Sequence, residues 1–157
     1  MQNKLIKNSH LNTKKLNNKW VIETELCTIS IEGSVTPNQL EIYINTLNRY
    51  FLEGTANGAR KANNKLLPLL KGINHNIQKK YVSTLAIDRE NIKMSCINNK
   101  WTVKLGKEIL GTFSSDWTKR EIIKLINDCN DIYDLGTNSG FIQKQLEFKN
   151  ILSGQSN

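Results

Sequence analysis

Two rhythms of apolar and polar positions divide this chain. From residue 92 to 113 the two kinds alternate. Ile92, Met94 and Cys96 are separated by Lys93 and Ser95, Trp101, Val103 and Leu105 by Thr102 and Lys104, and Ile109, Gly111 and Phe113 by Leu110 and Thr112. A period of two is what a strand with one buried face requires. Asn98-Asn99 and Gly106-Lys107 fall between these runs as tight turns, because Asn and Gly tolerate positive φ. Residues 81–87 supply a further strand ahead of a turn at Asp88-Arg89-Glu90-Asn91, so the pattern predicts a four-strand meander. At Thr118 the rhythm changes. Ile122, Leu125, Ile126, Cys129, Ile132 and Tyr133 recur at three and four, the spacing of one helix face, which predicts a helix over 118–135.

Much of this text occurs earlier in the chain as well. Leu16-Asn17-Asn18-Lys19-Trp20 anticipates Ile97-Asn98-Asn99-Lys100-Trp101, 81 residues later, and residues 36–55 anticipate 118–137 at an offset of 82. Thr36 with Gln39, and Thr118 with Glu121, each spell a capping box that would satisfy orphan amides at a helix start. Pro37 suits the first helical position. Val35 and Trp117, one residue before each cap, can staple onto Leu40 and Ile122. Leu40, Tyr43, Ile44, Leu47, Tyr50 and Phe51 form the face of a helix over 36–53. Gly54 and Gly136 read as the left-handed residues that stop the two helices. Ahead of the first helix, Trp20 and Ile22 alternate on one strand and Cys27, Ile29 and Ile31 on the next.

The fold expected is therefore α+β, with two tandem strand-meander-plus-helix units packed about a pseudo-two-fold axis. Residues 1–55 make the first unit with a basic N-terminal arm. Residues 56–80 form a basic connector interrupted by Gly58, Pro68 and Gly72, and residues 81–137 make the second unit. Phe141, Leu146, Phe148 and Ile151 predict an additional C-terminal helix within 138–157, ahead of a polar tail. At 157 residues the whole is expected to be one compact domain.

Charge changes this picture. The net charge is +8, and eighteen of the twenty-two basic residues are Lys in a chain also rich in Asn and Ile, the usage of an AT-rich genome. Codon usage adds lysine everywhere, but it does not remove acids. Residues 1–22 nevertheless hold five Lys and no acid, and residues 55–87 hold Arg60, Lys61, Lys65, Lys71, Lys79 and Lys80 with none. Blocks of this kind are commonly faces that meet polyanions. On the second meander, Lys93, Ser95, Thr102, Lys104 and Thr112 share the face opposite the core, so that face is polar and basic. Trp20 and Trp101 keep phase with the aliphatic core positions, which favours packing over base stacking.

Candidate catalytic chemistry is sparse. His10 and His75 have no second ligand-type residue at metal spacing. Asp128, Asp131 and Asp134 lie three apart on one helix, which reads first as a solvated acidic face. Cys27, Cys96 and Cys129 are odd in number and without metal spacing, which fits buried thiols in a reducing, intracellular compartment, cytoplasm or organelle. The longest apolar run, 66–70, is too short to cross a bilayer. No residue stands out as nucleophile or base, and no cofactor or metal is expected.

The order of elements across residues 1–137 resembles that of the Whirly and Pur families of single-stranded nucleic-acid-binding proteins. The resemblance lies in architecture rather than in motifs, so it assigns no residue. Separately, Trp101-Thr-Val-Lys-Leu-Gly-Lys-Glu-Ile-Leu-Gly-Thr-Phe113 before a helix is similar to the three-stranded DNA-binding domain of plant ethylene-response factors, without that domain's arginine-rich strand face. The expected function is a non-catalytic nucleic-acid-binding protein for single-stranded DNA or RNA, largely indifferent to sequence. Arg60, Lys61, Lys65, Lys79, Lys80, Lys93 and Lys104 would contact phosphates. The alternative is a protein-interaction or assembly module, a homodimer for example, docking through Phe141, Leu146, Phe148 and Ile151.

Overall fold

The computed structural model describes residues 14–16, 18–71, 87 and 91–154. Its elements follow the order β1 (Lys14–Leu16), β2 (Lys19–Glu23), β3 (Thr28–Glu32), α1 (Pro37–Lys71), β4 (Ile92–Ile97), β5 (Lys100–Leu105), β6 (Glu108–Ser114) and α2 (Lys119–Leu152). The class is α+β. Two antiparallel sheets, β1-β2-β3 and β4-β5-β6, each precede one long helix. The predicted strand over 81–87 lies outside the described residues except for Ile87, which is buried and not in a strand. The N-terminal arm up to residue 13, with His10, and residues 72–86, with Lys79, Lys80 and His75, lie outside them too.

Turn chemistry fixes the hairpins. Asn18 has φ 59° between β1 and β2, and Asn98 and Asn99 have φ 51° and 57° between β4 and β5. Gly106, at φ 59°, turns β5 into β6. These are the left-handed values that two-residue hairpin turns demand, and they match the strand twist. Register then follows the alternation. Trp20 faces Ile31 and Ile22 faces Ile29, all toward the core. In the second sheet Met94 faces Val103 and Cys96 faces Trp101.

One strand departs from the expected phase. Val103 pairs with Gly111 while Lys104 pairs with Ile109, which leaves Leu110 as an extra residue in β6. The bulge inverts the alternation on its far side. Leu110 therefore packs on the core, and Ile109, expected inside, is 62% exposed.

Both helices are far longer than their apolar faces predicted. Neither Gly54 nor Gly136 stops a helix. α1 runs on through the expected connector to Lys71, and α2 absorbs the expected separate C-terminal helix. These glycines mark a close crossing of the two helices. An added Cβ on Gly54 would collide with the Tyr133 carbonyl, and one on Gly136 with the Phe51 carbonyl. Four residues further on, Gly58 meets the Thr137 carbonyl and Gly140 the Thr55 carbonyl. Contacts advance together along both helices, so the helices run in the same direction. Side-chain-free positions four apart on one face allow backbones to approach more closely than the usual 8–10 Å between axes.

The helix starts interlock. The Thr36 N–H donates to Gln39 Oε1 at 2.7 Å, and the Gln39 amide nitrogen reaches across to the Asp116 carbonyl at 3.1 Å. The Thr118 N–H donates to Glu121 Oε2 at 2.8 Å, and the Ser34 hydroxyl donates to Glu121 Oε1 at 2.7 Å. Each cap thus holds the loop that leads into the other helix. Behind the caps, Val35 and Trp117 are buried, and Trp117 packs against Phe113 with ring centroids 5.2 Å apart. Ile22, Ile31, Tyr43, Leu47, Val103, Ile122 and Leu125 complete the dry centre.

Candidate nucleic-acid interface

Period-two alternation on β4 and β5 places Lys93, Ser95, Ile97, Lys100, Thr102 and Lys104 on the side away from the core. Lys93 stands directly opposite Lys104, and Ser95 opposite Thr102. Across the next pair, Lys104 faces Ile109, Thr102 faces Thr112 and Lys100 faces Ser114. All three lysines are exposed. Directly opposed side chains lie about 5 Å apart at Cβ, so two ammonium groups share one spot of the sheet. Lys100 and Lys104 are four residues apart on one strand, roughly 13 Å. The strands bring no carboxylate to this face. One reaches its corner, where the Ser114 hydroxyl donates to Asp116 Oδ2 at 3.3 Å.

The first sheet differs. On its outer side Lys19 faces Glu32 and Glu23 faces Thr28, so acids and bases alternate. Glu32 also meets the Arg120 guanidinium at 3.5 Å. An anion approaching that face meets mixed charge, whereas the strands of the second sheet offer cations and hydroxyls on their outer side, with exposed Ile97 and Ile109 among them and no acid.

The expected lysine and arginine cluster divides in two. Lys93 and Lys104 come together on the sheet. Arg60, Lys61 and Lys65 are exposed on the second half of α1, beyond the glycine crossing. Thr46 of α1 borders the same groove as Thr112 of β6. From Thr46 to Arg60 and Lys65 the helix advances roughly 20–30 Å, so these groups do not reach the sheet face. Lys65 instead lies 6.0 Å from the Phe141 ring centroid. Lys79 and Lys80 fall outside the described residues. Lys100 belongs to the face although sequence reasoning passed it over. Its period-two phase with Thr102 and Lys104 was the available signal.

The aromatic residues stay inside. Trp117 is buried, Trp20 and Trp101 are partly buried against the core, and Trp20 Nε1 donates to the Val35 carbonyl at 2.9 Å. Asp128, a metal candidate by spacing, is already engaged. It accepts from the Tyr43 hydroxyl at 2.5 Å and from the Lys124 ammonium at 2.8 Å. Burial, then the Asp128 carboxylate, push the Tyr43 phenol far above its ordinary value. Among the described residues no three His, Cys, Asp or Glu side chains gather as a metal site. No helix among them is long and apolar enough to cross a membrane. Leu146 and Ile151, expected in one docking stripe, are both exposed but about 140° apart around α2, at 3.6 residues per turn. Phe148, another member of that stripe, is only partly exposed and lies beneath Lys144.

Compared with protein-family models, curated proteins and solved structures, the chain matches none.

Proposed function

We propose that this protein binds nucleic acid through the outer face of its second sheet, holding the phosphate backbone with Lys93, Lys100 and Lys104 and giving little weight to sequence. The observation that carries the proposal is the direct opposition of Lys93 and Lys104 on a strand face without carboxylates. Like charges placed opposite each other destabilise a sheet, and an anionic ligand turns that opposition into attraction. Ser95, Thr102 and Thr112 between the lysines offer hydroxyls to phosphate or sugar. With the tryptophans turned inward, stacking contributes less than charge, so binding is strongly salt-dependent. Single-stranded DNA or RNA remains the expected form.

We also infer that the two halves are an internal repeat about an approximate two-fold axis. The support is reciprocity. Gly54 on Tyr133 becomes Gly136 on Phe51 when the partners are exchanged at an offset of 82, and Gly58 on Thr137 becomes Gly140 on Thr55. The Gln39–Asp116 and Glu121–Ser34 bonds exchange in the same way.

The test is titration of labelled single- and double-stranded oligonucleotides of one sequence at two salt concentrations. Lys93→Glu with Lys104→Glu is expected to weaken binding at least about tenfold, while Arg60→Glu with Lys61→Glu changes it less. Absence of binding at low salt, or binding indifferent to the sheet substitutions, would overturn the proposal.

A further inference from the structure

The first sheet ends at β3, and among the described residues no strand pairs with its far side. The Thr24 N–H donates to the Cys27 carbonyl at 3.0 Å, which makes that pair a hydrogen-bonded one. Antiparallel ladders alternate bonded and unbonded pairs. Ile29 and Ile31 therefore turn their backbone groups toward β2, and Thr28 and Ser30 turn theirs outward, whereas the Glu32 carbonyl already accepts from the Val35 N–H at 3.2 Å. Thr28 and Ser30 are exposed.

A groove of about 360 Å³ runs beside this edge, walled by residues 27–30 and by Lys124, Asp128, Asp131, Ile132 and Leu135 of α2. Its floor is apolar and its rim is acidic. The Lys124 ammonium is spent on both oxygens of Asp128, at 3.0 and 2.8 Å. That leaves Asp131 as the uncompensated charge, with exposed Asp134 beside it on the helix. Among the described residues neither aspartate is in an ion pair.

In the second sheet the counterpart of β3 is β6, which borders a groove too, but Arg49 and Ile42 line it instead of acids. β6 also carries the Leu110 bulge, a device that keeps an edge from accepting another strand. The register of β3 is regular throughout.

We propose that β3 and its groove form a docking site for an extended basic peptide of a partner protein, which adds to the first sheet as its next strand. Main-chain bonds to Thr28 and Ser30 supply affinity. Alternate side chains enter the floor over Ile29, Ile132 and Leu135, and lysine or arginine side chains meet Asp131 and Asp134. The proposal is independent of the nucleic-acid reading, since it uses the other sheet.

The probe is a fluorescent ten-residue peptide of alternating Lys and Val, blocked at both ends and titrated against the full chain by anisotropy. Saturable binding is expected. A peptide with Glu in place of Lys should bind at least about tenfold more weakly, and so should the Lys–Val peptide to Asp131→Lys with Asp134→Lys. Ser30→Pro removes an outward N–H at an edge position that tolerates proline, and should abolish binding. Should that variant fail to fold, a peptide N-methylated at alternate residues makes the same test on the unaltered protein. Lack of saturable binding, or equal binding after the aspartate reversal, overturns the proposal.

Discussion

Gly58 of α1 rests directly on the Thr137 carbonyl of α2, and the Phe141 N–H nitrogen lies only 2.8 Å from where a Cβ would be. Both neighbours are backbone, so neither can rotate away. Gly58→Ala must push the helices apart along a crossing where Gly54, Gly136 and Gly140 meet the same restriction. Overpacking of this kind costs about 1–3 kcal/mol or more. The expected result is a clear fall in the urea midpoint for Gly58→Ala and for Gly140→Ala. Gly106→Ala makes the contrast. Nothing lies within 4 Å of its added Cβ, so only the φ of 59° resists, at about 1 kcal/mol. A Gly58→Ala protein as stable as the Gly106→Ala protein would count against this crossing.

Acid should loosen the interlocked caps through Glu121. Burial alone would raise its carboxyl above the ordinary 4.5, but the Ser34 hydroxyl and the Thr118 N–H and hydroxyl outweigh burial and hold it below that value. A depressed folded pKa means stability that is fully present above 4.5 and lost as pH falls through the lower, folded value. Glu121→Gln removes this titration. Gln39 already performs the same cap in α1, and the Ser34 hydroxyl can rotate to accept from a glutamine amide. Urea midpoints at pH 6 and pH 3.5 should therefore converge in Glu121→Gln relative to the original protein. An unchanged pH dependence would assign the acid sensitivity elsewhere.

The cysteines should separate by reactivity. Burial, followed by the neighbouring Asp128 charge, pushes the Cys129 thiol up to about 12, so little thiolate forms near neutral pH. Cys96 is exposed at the end of β4. In the folded protein, iodoacetamide at pH 8 should modify Cys96 first and leave Cys129 intact until denaturant is added. Peptide mapping by mass spectrometry reads this directly, and early labelling of Cys129 would contradict its place in the core.

Local chemistry was legible wherever one signal had one meaning. Thr36 with Gln39 and Thr118 with Glu121 announced helix starts, and capping boxes formed at both. The asparagine pairs announced turns. Glycine after an amphipathic stretch had two meanings, a left-handed stop or a close approach of backbones. The choice at Gly54 and Gly136 depended on a partner helix 82 residues away, which no local window contains. The Leu110 bulge was similarly hidden, because Ile109 and Leu110 are equally apolar and either phase buries one of them. On the candidate interface, Lys93 and Lys104 shared a face by periodicity alone. The separation of Arg60, Lys61 and Lys65 from them required the true length of α1.

The opposition of Lys93 and Lys104 makes a last prediction that runs against intuition. In the free protein the two ammonium groups repel across the ladder, at a cost of up to about 1 kcal/mol at low salt. Lys104→Thr relieves that repulsion and puts a residue of higher strand preference on an exposed position. The variant is expected to unfold at a slightly higher temperature than the original at low salt, and the gain should fade as salt screens the pair. Nucleic-acid binding should move the other way. Losing one phosphate contact lowers affinity and reduces the slope of log affinity against log salt by about one. Thermal unfolding and oligonucleotide titration of the same two proteins measure both. A variant that is less stable and binds equally well would mean that Lys104 serves the fold rather than a polyanion.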